Sequence, residues 1–200
     1  MLLISVVAGV WGEVSVSLPS GSSTGTAPVQ IWVYLPIPLA SLVVGGLHSD
    51  MRSLEEAATR VLARAQVRQV AAALLAGTVM LGASLLAAGG PSLAAGAVRN
   101  LLLWTGLALV SGRIWRWSLS WLLPMIALFP FDWFGLEASG PKRWAWPMLP
   151  PTDVWSWVAT TVTLLIGAAA HAATPWRLRR LRAAIWRAAR TAGSPRQGRT

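Results

Sequence analysis

The sequence predicts an all-α, polytopic membrane helix bundle of about six spans, and three observations carry that prediction. Charged residues make up only 12% of the 200, against roughly 25% in an ordinary soluble domain. The mean hydropathy is +0.55. The charges also gather at the ends of long apolar runs, where topology signals sit, instead of covering a polar surface.

Five segments are long and apolar enough to be read as crossings: 31–47, 70–89, 96–112, 114–131 and 154–174. Residues 1–12 form a partial sixth, since twelve helical residues reach only about 18 Å. This piece is expected to be re-entrant, or else the outer part of a longer first helix that begins upstream of Met1. The stretch that follows, "VSVSLPSGSSTGTAP", reads as an external loop of turn formers. In the segment from Ile31, Pro36 and Pro38 each remove a backbone donor, which predicts a kinked or broken helix. The uncharged run from Val70 ends on Gly-Gly-Pro, a clear helix stop. Residues 1–175 therefore read as one transmembrane domain, and 176–200 as a basic amphipathic tail ending in the disordered "GSPRQGRT".

Between spans two and three lies "SLEEAATRVLARAQVR", residues 53–68, the one long water-loving stretch of the first half. Ser53 and Glu56 make a capping box. Leu54, Ala57, Ala58, Val61, Leu62 and Ala65 share one helix face, and Glu56, Arg60 and Arg64 follow at intervals of four on another. The spacing predicts an amphipathic helix on the cytoplasmic side, leading into the next span.

Orientation follows from the cations. With the C-terminus cytoplasmic, 14 of the 17 Lys+Arg fall inside and Arg99, Lys142 and Arg143 outside, a positive-inside distribution. Most of the 13 tryptophans fall near the two proposed headgroup boundaries, with Trp104 and Trp121 deeper. The chain is expected in the bacterial cytoplasmic membrane as a multi-pass protein. The tail arginines Arg177, Arg180, Arg187 and Arg190 lie mostly opposite an apolar face, so they anchor on anionic lipid or dock on a partner.

Several chemistries are disfavoured. A basic excess placed at span ends does not suit nucleic acid. There is no cysteine and no Walker A loop, and the only lysine, Lys142, sits in an external loop, so ATP-driven work needs a separate subunit. No carboxylate pair lies within an apolar span and no nucleophile has a base beside it; no enzyme activity and no cofactor is expected. The polar residues left within spans are Arg99, Asn100 and His171, a possible intramembrane polar site. Arg99 either snorkels to the headgroups or pairs with Asp132, Glu137 or Asp153. His171 is either a polar group satisfied at a helix contact or a ligand or proton relay. Ala108 and Gly112 give the Arg99 helix a face for close packing.

Taken in order, "LEEAATRVLARAQ", "RNLLLWTGLALVSGRI", "WLLPMIALF" and "WAWPMLPPTD" resemble the membrane subunits of ABC-2-type transporters, over about residues 30–175. The resemblance implies a permease-like subunit of an exporter, paired with itself or a second permease and with a cytoplasmic ATP-binding subunit. It places a coupling-type helix on 53–68, with Glu55, Glu56, Arg60, Arg64 and Arg68 at the docking surface. The first span is shorter than the family's, and the amphipathic helix expected before it is missing. The other function consistent with the residues is a non-transporting accessory, immunity or scaffold membrane protein.

Overall fold

Thirty residues without a proline, from Arg60 to Gly89, form one uninterrupted helix about 45 Å long. The computed structural model describes residues 1–11, 14–19, 26–46, 60–115, 117–137 and 140–172, and it is mostly helical. Helix α1 is Leu2–Trp11, and a hairpin of β1 (Ser15–Pro19) and β2 (Thr26–Gln30) follows. A 3-10 turn at Ile31–Val33 leads into α2 (Pro36–Gly45); then come α3 (Arg60–Gly89), α4 (Pro91–Ile114) and α5 (Leu122–Phe134). Two residue pairs, β3 (Leu136–Glu137) and β4 (Gly140–Pro141), and a 3-10 turn at Trp146–Met148 precede α6 (Val154–Ala172).

Three helices among the described residues are long and apolar enough to cross a membrane: α3 from Arg64, α4 and α6. The other expected spans are shorter. Pro36 occupies the first position of α2, with Pro38 two residues on, where the missing amide hydrogens would have had no partner. The segment is thus broken, as one of the two expectations had it: a 3-10 turn at Ile31–Val33 is followed by a ten-residue helix that the prolines start. The expected span 114–131 is interrupted: α4 runs on to Ile114, Trp117–Leu119 makes a 3-10 turn, and α5 begins only at Leu122. Ser111 holds that turn, donating from Oγ to Leu119 O at 2.7 Å and accepting from Leu123 N at 3.2 Å. The stretch after α1, expected to be loop, pairs antiparallel from Ser15 with Gln30 to Pro19 with Thr26.

Residues 60–68 are the first turns of α3 and continue into its membrane-length part. The predicted amphipathic helix is thus joined to its span from Arg60 onward; Ser53, Glu55, Glu56 and the capping box lie outside the described residues.

Helix α4 forms the centre. Leu101, Leu103, Trp104, Thr105 and Ala108 are all inaccessible to solvent or nearly so. Helix α3 returns beside it after a single residue, Gly90, whose φ of 84° suits glycine. Against the 3-10 turn before α2, a methyl group added at Gly96 would lie 2.8 Å from the ring of Trp32. Against α6 the backbones nearly touch, with a Cβ at Gly167 placed 2.4 Å from Gly106 O. The expected small-residue face is buried as well: Ala108 sits beside Val44, and Gly112 lies under the indole of Trp117. The outer faces of α3 and α6 remain apolar and exposed, at Leu75, Val79 and Leu86 on one and Val154, Val158, Val162 and Leu165 on the other.

Candidate functional site

Because α4 begins at Pro91, Arg99 lies about 12 Å along the helix axis, deeper than a segment starting at Gly96 would put it. Arg99 and Asn100 both have zero exposure. An ionisable side chain in such a place needs all its donors satisfied, since each unmet group in an apolar interior is costly.

The connection from α5 to α6 supplies the acceptors. It folds over the end of α4 through short turns: Lys142 N donates to Gly135 O at 2.8 Å, Ala145 N to Lys142 O and Met148 N to Ala145 O, both at 2.9 Å. Pro147, Pro150 and Pro151 follow within it. The carbonyls here are not taken up by any strand ladder and turn inward. Arg99 Nη2 donates to Pro147 O at 3.1 Å and Nη1 to Pro150 O at 3.1 Å. Nη1 also donates to Ser156 Oγ at 2.8 Å, while Nε and Nη2 share Asn100 Oδ1 at 3.3 and 3.1 Å. Asn100 Nδ2 reinforces the loop by donating to Pro147 O at 2.9 Å. Five guanidinium N–H groups thus make five hydrogen bonds, all to neutral oxygens.

Helix α6 is capped beside this cradle. Asp153 Oδ2 accepts from the amide of Ser156, the third residue of the helix, at 2.8 Å, and Ser156 Oγ donates to Asp153 O at 2.7 Å. Trp157 Nε1 donates to Pro151 O at 2.8 Å, tying the first turn of α6 to the same loop.

Neither expected fate of Arg99 is the one adopted. It does not reach the surface, and the three carboxylates considered for it are engaged elsewhere. Asp132 accepts from Tyr34 Oη at 2.9 Å, Glu137 pairs with Lys142 at 3.0 Å, and Asp153 acts on the guanidinium through space while bonding Ser156. The physical reason is the loop: two proline carbonyl groups, the serine of the α6 cap and the neighbouring Asn100 take up its donors before any acid does. Arg99 and Asn100 come together as expected, but His171 does not join them. It lies at the far end of α6, with its ring edge-on to Trp117 at 5.3 Å.

Arg64 and Arg68 are exposed at the first turns of α3, and Arg60 opens that helix. Arg177, Arg180, Arg187 and Arg190 lie outside the described residues. Among the described residues no three His, Cys, Asp or Glu side chains gather to hold a metal ion. Reading the sequence alone missed Ser156, Pro147 and Pro150; the one available signal was the Asp153-x-x-Ser156 spacing of a helix cap.

Chemically, a guanidinium with every N–H engaged cannot take up an anion without surrendering bonds to its own chain. It works as a clasp, fastening the cap over α4 and α6. No family model, curated protein or solved structure matches the chain.

Proposed function

We propose that this chain is a non-catalytic, multi-pass subunit of the bacterial cytoplasmic membrane that acts by binding other membrane components, an accessory or scaffold subunit. The saturation of Arg99 carries the reading: the one fully buried cation among the described residues serves the fold, not a solute. The filled interior around α4 supports it, since Leu101, Trp104 and Ala108 in the middle of the central helix are fully buried. The exposed apolar faces of α3 and α6 suit lipid and neighbouring helices.

A second reading is the permease-like subunit of an ABC-2-type exporter, as a homodimer or with a second permease and a separate ATP-binding subunit. The observation in its favour is α3, which at about 45 Å exceeds a hydrocarbon core of about 30 Å and carries Arg64 and Arg68 exposed on its early turns. In this reading those turns are the docking surface, with the C-terminus cytoplasmic.

The full-length chain is purified from its own membranes in mild detergent, with and without Arg64→Glu and Arg68→Glu together. The accessory reading expects an integral membrane partner recovered equally with both forms and no associated ATP hydrolysis. Recovery of a nucleotide-hydrolysing subunit that disappears with the double substitution would overturn it in favour of the permease.

A further inference from the structure

A cavity of about 290 Å³ opens beside the Arg99 clasp, lined by Arg143, Trp144, Trp146, Leu149, Asp153 and Trp155. Its chemistry is unusual for a loop surface. Three indole rings meet one cation and one anion, so the lining is electrically neutral overall but strongly divided.

Two of the three rings are held in place. Phe131 stacks on Trp144 with centroids 5.9 Å apart and lies against Trp146 at 6.3 Å. Trp155 belongs to the first turn of α6 and is 68% exposed. Arg143 is exposed and makes no hydrogen bond or ion pair among the described residues. Asp153 commits Oδ2 to the cap of α6 and keeps its second oxygen available. Indole faces attract an ammonium group through the ring quadrupole, and a carboxylate beside them adds charge. A free guanidinium binds a phosphate oxygen pair.

The cavity lies at the low end of the roughly 300–1,000 Å³ of small-molecule sites, room for a headgroup but not for acyl chains. A path for those chains starts at its rim. Val154, Val158, Val162 and Leu165 are exposed at helical spacing down the outer face of α6. Tryptophan clusters of this kind mark the headgroup level of a bilayer.

We infer that this cavity binds a zwitterionic phospholipid, its phosphate on Arg143, its ammonium among Trp144, Trp146 and Trp155 beside Asp153, and an acyl chain along α6. One cation and one anion match an ammonium–phosphate pair. An anionic phospholipid would satisfy Arg143 but set an uncharged group against Asp153.

The full chain in detergent micelles is titrated with short-chain phosphatidylethanolamine, short-chain phosphatidylglycerol and free phosphoethanolamine, and bound molecules are counted by native mass spectrometry. Saturable binding of one phosphatidylethanolamine is expected, at least tenfold tighter than phosphatidylglycerol and than the free headgroup. Arg143→Ala and Trp155→Ala, both at exposed positions, should each weaken it fivefold or more with an unchanged melting temperature. Equal binding of the two lipids, binding of the free headgroup as tight as the lipid, or undiminished binding in the two variants would overturn the assignment. Recovery of protein partners does not enter these readouts, so this site and the accessory role stand or fall separately.

Discussion

Arg99→Lys separates a buried clasp from a surface anchor. A snorkelling side chain needs only a charge on a long stem, which lysine supplies as well as arginine. The cradle needs five N–H groups in a planar fork aimed at Pro147 O, Pro150 O, Ser156 Oγ and Asn100 Oδ1. An ammonium has three, so at least two of the five bonds are lost while the charge stays buried, at a cost of about 1.5–3 kcal/mol each. Arg99→Ala removes the charge but leaves the site empty. Pro147 O keeps Asn100 Nδ2, and Pro150 O keeps the amide of Asp153, so Asn100 Oδ1 is the oxygen stranded. That costs about 2 kcal/mol, and two buried methylenes add about 1.6 kcal/mol. Lysine is therefore expected to destabilise by about 3–6 kcal/mol and alanine by about 4 kcal/mol. The assay is thermal unfolding of the full chain in detergent, followed by its 13 tryptophans. Wild-type melting of Arg99→Lys, with Arg99→Ala impaired, would refute the clasp and restore the anchor.

Other perturbations probe the packing around it. Gly167→Ala places a methyl 2.4 Å from Gly106 O, and separating two helix backbones is expected to cost about 1–3 kcal/mol in the same melt. Thr160 Oγ1 is buried without a hydrogen-bond partner among the described residues, so Thr160→Val is expected to leave stability unchanged or raise it by about 1 kcal/mol; a clear loss would mean the hydroxyl is satisfied. A Cβ at Gly82 lies 3.5 Å from Val98 Cγ2, and the chain has no cysteine of its own. Gly82→Cys with Val98→Cys should therefore crosslink on mild oxidation, read as a gel-mobility shift, and failure would contradict the α3–α4 pairing.

The three membrane-length helices were legible because hydropathy over twenty or so residues is a local property, and Val70–Gly89 shows it without interruption. The broken segments were less so. "RIWRWSLSWLLP" scores as apolar through its tryptophans and leucines, yet Ser111 fixes a turn there that depends on residues eight and twelve positions ahead. The hairpin of Ser15–Pro19 with Thr26–Gln30 was hidden for a similar reason, since pairing joins two stretches that each read as turn formers. At the site, the arginine and asparagine stood out because polar groups inside a span are rare. Their partners did not, because the carbonyl oxygen of a proline has no signature of its own, and only folding of the loop brings Pro147 and Pro150 over α4.

The connection at Gly90 has a mechanical meaning. Helix α3 ends at Gly89 and α4 starts at Pro91, so no slack chain lies between them. Two rods joined by one residue cannot slide past each other by even a helical turn. Arg64 and Arg68 stand about 30–40 Å along α3 from that joint. At the joint end lie the lid that Arg99 latches and the tryptophan-lined hollow beside it. The short joint thus limits how far α3 can shift along α4, and it keeps the basic end and the proline-rich end of the bundle at a set separation.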